Sequence, residues 1–162
     1  MGLEIERKFL VHKDLWTALA TSGAEKIVQA YLVNSPEKTV RVRIKGDQGF
    51  LTIKGISTGA TRAEFEYSIP VKEAEELISL FSLPLISKTR TTLVYAGKTW
   101  EVDVFEGENE GLIVAEIELQ SESETFDLPP WADKEVTEDI NYYNSRLMTH
   151  PYTQWQTKTT KS

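Results

Sequence analysis

Charged residues spaced two apart recur along this chain, and their signs sort by segment. Glu4, Glu6 and Lys8 alternate with Ile5, Arg7 and Phe9, and Arg41, Arg43 and Lys45 alternate with Val40, Val42 and Ile44. Arg62, Glu64 and Glu66 alternate with Ala63, Phe65 and Tyr67, while Lys88 shares its parity with Arg90, Glu101 with Asp103, and Glu116 with Glu118. Lys54 ends a further run whose opposite parity carries Leu51 and Ile53. Residues two apart in an extended strand share a face. The ordinary account of such a face is the solvated side of an antiparallel sheet. Composition favours another: solvated strand faces mix Thr, Ser, Gln and Lys, whereas nearly every position here is a formal charge, led by arginine and glutamate. Turned inward, these faces line a polar channel with acidic and basic walls. Mutual pairing and a bound ligand then offset the desolvation of so many charges.

Such walls imply a definite chemistry. Lys and Arg on neighbouring strands can grip consecutive phosphates, arginine bidentately and lysine as a point charge. Carboxylates beside the same anion make sense if they hold a hard divalent cation, and Mg²⁺ or Mn²⁺ prefers oxygen ligands. A metal that bridges phosphate oxygens and lowers the pKa of bound water supports phosphoanhydride hydrolysis without a Cys, Ser or His nucleophile. The chain has no cysteine, which removes disulfides, thiolate zinc sites and a thiol nucleophile together. No GxxxxGK[ST] or GxGxxG occurs, so Gly46, Gly49 and Gly97 read as turn glycines. His12 and His150 are the only histidines, each near a predicted helix end, and read as surface or capping residues. The four tryptophans read as packing, and Tyr31 is open between tunnel lining and packing.

The elements that must position these residues are mostly strands. Period-two runs between turn signals such as Gly46-Asp47-Gln48-Gly49 and Tyr95-Ala96-Gly97-Lys98 predict strands near 3–11, 28–34, 39–45, 50–55, 62–69, 87–95, 99–105 and 112–120. Helices are expected over 13–22, 71–82 and 137–149; the second places Ala74, Leu77, Ile78 and Phe81 on one stripe. The fold class is therefore mainly β, α+β: an eight-stranded antiparallel tunnel-like barrel with a charged interior and helices packed outside. With 162 residues, 40% hydrophobic and 27% charged, the chain suits one domain over 1–155, followed by a polar tail at 156–162 expected to be disordered. The net charge of −7 argues against broad nucleic-acid binding but leaves room for a small anion in a local basic pocket. The N-terminus lacks the apolar region of a signal peptide and no run approaches a membrane span, so a cytoplasmic protein without a membrane partner is expected.

The opening Glu4-x-Glu6-x-Lys8 resembles the signature of the CYTH superfamily, the triphosphate tunnel metalloenzymes. The same order continues through Arg41-x-Arg43, Lys54, Arg62-x-Glu64-x-Glu66, Lys88-x-Arg90, Asp103-x-Phe105 and Glu116-x-Glu118, and the match covers about residues 2–145. The stretch from Pro129-Pro130-Trp131 to Val136-Thr137-Glu138-Asp139, with Tyr143-Asn144, is similar to the short bacterial members, whose best-matching activity is inorganic triphosphatase. The resemblance implies that Glu4, Glu6, Glu116 and Glu118 are metal ligands. Lys8, Arg41, Arg43, Lys54, Arg62, Lys88 and Arg90 would grip phosphate, with Glu4, Glu6, Lys54 and Lys88 as the catalytic set. Glu64, Glu66 and Asp103 match acidic positions serving a second metal or orienting water. Tripolyphosphate cleaved to pyrophosphate and phosphate is the expected reaction. A class IV-type adenylate cyclase, a thiamine triphosphatase or a nucleoside triphosphatase are the alternatives within the superfamily. A polyphosphate- or nucleotide-binding module is the alternative without catalysis, and a pure anion sensor has little use for so many carboxylates.

Overall fold

Tight turns with left-handed residues set the strand order. Gly46 sits at φ +60° between one pair of strands, and Ala96 and Gly97 at φ +48° and +78° between another. Such turns carry the twist that lets adjacent strands pair antiparallel. A computed structural model of the protein describes residues 2–19, 23–81 and 83–159. The strands are β1 (Gly2–Val11), β2 (Glu25–Ser35), β3 (Lys38–Lys45), β4 (Gln48–Lys54), β5 (Thr61–Ile69), β6 (Ile86–Tyr95), β7 (Lys98–Phe105), β8 (Ile113–Glu118) and β9 (Ala132–Glu135). Their pairing runs β5-β4-β3-β2-β6-β7-β8-β1, and β1 pairs back with β5 to close an eight-stranded antiparallel barrel. The expected architecture is borne out.

β1 closes the ring by serving several neighbours. Gly2–Ile5 pair with β5, Glu6–Leu10 pair with β8, and Phe9 and Val11 pair with β9. β9 therefore takes the edge that β5 leaves. The sequence reading missed it because Ala132-Asp133-Lys134-Glu135 has no apolar alternation.

The helices are α1 (Lys13–Thr17), α2 (Val71–Leu80), α3 (Asn144–Leu147) and α4 (Tyr152–Thr159). α1 is shorter than expected: Trp16 is its buried residue, Leu15 and Leu19 are exposed, and 20–22 lie outside the described residues. The expected helix over 137–149 is instead a 3₁₀ turn at Ile140–Tyr142 followed by α3, because Tyr143 is extended (φ −71°, ψ 136°) and breaks the helical path. α4 carries the backbone to Thr159, within the expected 156–162 tail; 160–162 lie outside the described residues. Among the described residues no helix is long and apolar enough to cross a membrane.

Two apolar clusters flank the charged interior. Outside the barrel, Phe9, Trp100, Val102, Ala115 and Ile117 from β1, β7 and β8 pack with Trp16 and Trp131. α2 lies against β3 and β4, where Gly49 permits the approach: a Cβ there would stand 2.9 Å from the Ile69 carbonyl oxygen and 3.1 Å from the Ala74 Cβ. The second cluster lies on the inward rows. Glu4-Glu6-Lys8 continues to Leu10, Arg90-Lys88 to Ile86, Glu101-Asp103 to Phe105, and Glu118-Glu116 to Val114. With Tyr31, Leu112 and Leu147 these residues form an apolar plug at one end of the barrel, and the segment containing α3 and α4 packs on it.

Candidate active site

The inward rows converge as parity predicts. Glu4, Glu6, Lys8, Arg41, Arg43, Lys54, Arg62, Glu64, Glu66, Lys88, Arg90, Glu116 and Glu118 all line one cavity of about 260 Å³. Asp103 is buried behind it, taken up by a two-pronged contact from Arg90 (2.7 and 2.9 Å) and by Lys88 Nζ at 2.8 Å. Tyr31 does both jobs left open for it, lining the cavity and joining the plug.

One side of the cavity has surplus carboxylate. The β1–β8 register sets Glu6 opposite Glu118 and Lys8 opposite Glu116, while β7 sets Glu101 opposite Glu116. Burial and then Glu116 raise the pKa of Glu6; partial burial, Glu4 and Glu6 raise that of Glu118; burial raises Glu101 against the pull of Arg90. Glu116 is the exception. Burial would raise it, but Lys8 at 2.5 Å and Arg90 at 3.3 Å outweigh that and hold it well below the ordinary carboxylate range. Lys54 Nζ lies 3.0 Å from both oxygens of Glu4 and 3.5 Å from Glu64, and Arg62 approaches Glu4 at 3.7 Å.

The other side has surplus cation. Arg43 donates through Nε and Nη2 to the amide oxygen of Gln29, at 2.9 and 2.7 Å, and among the described residues no carboxylate forms an ion pair with it. Burial, Arg41 and Arg90 push its pKa down to about 9. Arg41 bonds Thr52 at 3.1 Å and stands 3.7 Å from Glu66, yet its buried Nε has no hydrogen-bond partner among the described residues. Lys88 is fully buried. Burial, with help from Arg90 and Arg43, overrides Asp103 and pushes it down to about 7. Arg90, by contrast, is raised well above its ordinary value by Asp103 and Glu116 despite burial.

Cations that depress one another's pKa gain from a bound anion, and carboxylates that raise one another's gain from a bound cation. Among the described residues no three acidic or histidine side chains converge ready to hold a metal. Lys8 reaches Glu6 at 3.2 Å as well as Glu116, and Lys54 sits on Glu4. The donor set nevertheless fits a hard divalent ion: it offers oxygen alone, and Glu6 and Glu118 are like charges held opposite one another in register.

Other cavity-lining residues were given no role from the sequence. Lys45 and Glu101 have the right parity, and Phe50 lies on β4. Ser57, Gly59 and Ala60 come from the β4–β5 loop, and Thr137, Tyr143, Asn144 and Ser145 from the segment after β9. Period-two reasoning cannot reach these loop residues. Only the Thr137 and Tyr143-Asn144 stretch carried a signal, through resemblance.

Comparison with known proteins finds relatives along nearly the whole chain. The CYTH domain family model matches residues 2–152. A curated inorganic triphosphatase of Acetivibrio thermocellus is 48% identical over 153 residues, covering 94% of this chain and 97% of the relative. An inorganic triphosphatase of Nitrosomonas europaea is 36% identical over 155 residues, covering 89% and 95%. A crystal structure described as an inorganic triphosphatase superposes with a TM-score of 0.62 at 34% identity, covering 91% of this chain and 95% of its own.

Proposed function

The chain belongs to the CYTH domain family, and from that premise we propose that it is a metal-dependent hydrolase converting inorganic tripolyphosphate to pyrophosphate and phosphate. The observation that carries the reading is Arg43, a desolvated guanidinium whose hydrogen bonds go to a neutral amide, beside Arg41 with its unpartnered Nε. A phosphate chain supplies the missing negative charge. The names of both curated relatives support the same substrate.

In this reading Arg41, Arg43, Arg90 and Lys88 seat the phosphates, and Lys8, Lys54 and Arg62 meet the chain from the acidic side. Glu4, Glu6, Glu116 and Glu118 would hold Mg²⁺ or Mn²⁺, which when bound supplies Lewis-acid neutralisation of phosphate oxygens and an acidified water. Glu64 and Glu66 lie near enough to Lys54 and Arg41 to orient these cations. Water attacks the terminal phosphorus, the bond from that phosphorus to the bridging oxygen breaks, and its electron pair leaves on pyrophosphate. Lys88 Nζ, with a pKa near 7, takes the proton of the attacking water. The apolar plug limits how much of a longer polyanion the cavity can seat.

The test is to incubate the pure protein with tripolyphosphate, ATP or thiamine triphosphate under Mg²⁺ or Mn²⁺ and identify the products. Tripolyphosphate should have the highest kcat/KM and yield pyrophosphate with phosphate. A tenfold preference for ATP or thiamine triphosphate, or cyclic AMP among the products, would overturn the substrate assignment.

A further inference from the structure

Lys88 is held from two directions, by partners in different parts of the chain. Asp103 on β7 takes Nζ at 2.8 Å, and the Oδ1 of Asn144 takes it at 3.0 Å. Asn144 is not part of the barrel. It is the first residue of α3, delivered into the cavity by the extended backbone of Tyr143. Its own segment is anchored independently: Leu147, three residues on, is fully buried in the plug, and Asn34 on β2 donates to the Ser145 carbonyl oxygen at 2.8 Å.

We propose that Asn144 is a positioning residue for the reaction, acting through Lys88; the inference rests on the hydrolase reading given above. An amine nitrogen is tetrahedral. With Cε at one corner, an N–H hydrogen-bonded to Asn144 at a second and the Asp103 carboxylate drawing the nitrogen from 2.8 Å away, the remaining directions are fixed, and Lys88 lines the cavity. Those directions carry N–H groups in the ammonium and include the lone pair in the amine, so both protonation states are presented to the cavity in a fixed orientation. Asp103 alone cannot achieve this, because Arg90 binds both of its oxygens and the ion pair with Lys88 attracts the nitrogen without fixing rotation about Cε–Nζ. Four-carbon side chains have high rotamer entropy, so a second tether is what converts a buried lysine into an oriented one. The plug segment thereby becomes part of the active site rather than a cover over the barrel end.

Asn144→Leu keeps approximate shape and removes the acceptor. Steady-state kinetics with tripolyphosphate should show kcat reduced about tenfold or more, with KM within about threefold of wild type, since misplacement near 1 Å can cost that much or more. In parallel, acetylation of the metal-free proteins followed by mass spectrometry gives the labelling rate of Lys88 relative to Lys54. That ratio should rise severalfold in the variant, because Lys54 keeps its Glu4 partner. An unchanged kcat, or a kcat loss with an unchanged ratio, overturns the proposal. So does a rise in labelling of both lysines together with a lowered Tm, the signature of a loosened barrel. If wild type fails to cleave tripolyphosphate, the hydrolase reading falls, and the labelling ratio alone decides whether Asn144 positions Lys88.

Discussion

Lys8 and Lys88 are both buried in the same cavity, yet their acidities move in opposite directions. Burial disfavours the ammonium in both. Lys8 sits among Glu116, Glu6 and Glu4, whose attraction exceeds that penalty and raises its pKa. Lys88 has Asp103, but Arg90 and Arg43 lie on the same side and it falls to about 7. One residue type is held as a cation at the acidic pole and is drawn toward the neutral amine at the basic one. What separates them is which strand rows meet across the barrel, not the lysine itself.

The strongest break in that comparison comes from the acidic pole. Glu6→Ala, Glu118→Ala or excess EDTA should lower tripolyphosphate hydrolysis by at least ~10³-fold, equivalent to about 4 kcal/mol of transition-state stabilisation. Because the pKa of Glu118 is raised on folding, the native state binds more protons than the unfolded chain just above pH 4.5, and ionising this group costs stability as pH rises. Glu118→Gln should therefore be inactive without a lower Tm at pH 7, measured by thermal scanning. Metal-independent turnover at wild-type rate would contradict the assignment of this pole.

At the basic pole the two arginines should part company. Arg43→Ala removes a cation with no carboxylate ion pair among the described residues, so kcat/KM falls by a factor equivalent to roughly 2–5 kcal/mol while stability holds. Arg90→Ala also strips Asp103 and Glu116 of a partner, and should cost roughly 3–5 kcal/mol of unfolding free energy in urea titration. Equal stability losses in the two variants would show that the charge separation described here is not the controlling feature.

A smaller effect follows from Lys88. If neutral Nζ accepts the proton, kcat/KM rises with pH through a limb near 7 and levels above it, since that parameter reports the free enzyme. Lys88→Arg, which cannot deprotonate in this range, should lose the limb. The smallest effect belongs outside the tunnel: Lys26→Ala removes an exposed pair with Glu106 and should leave kcat, KM and Tm within error of wild type.

The sequence revealed the barrel rows better than their pairing. Parity put Glu4, Glu6, Arg41, Arg43, Lys88, Arg90, Glu116 and Glu118 each on one face of its strand, since a one-residue slip would exchange the faces, and their near-uniform charge turned that face inward. It could not show that Asp103, on the same parity, is saturated by Arg90 and Lys88 behind the cavity wall, since that depends on cross-strand register. The region after β9 was least legible. Val136, Ile140 and Leu147 mimic helical spacing, while Asp139 caps a 3₁₀ turn through the Asn141 N–H and Tyr143 turns extended. Reading that stretch as one helix hid the cavity contacts of Tyr143 and Asn144.

The two-pole account is tested most directly by calorimetric titration of tripolyphosphate into wild type, Arg43→Ala and Glu118→Gln, first in EDTA and then in a non-turnover metal such as Ca²⁺. Wild type should bind in EDTA and tighten when metal is added. Arg43→Ala should lose affinity under both conditions, whereas Glu118→Gln should keep the EDTA affinity and lose only the metal-dependent gain. If both variants lose affinity equally under both conditions, the acidic and basic poles are not separate sites and the account fails.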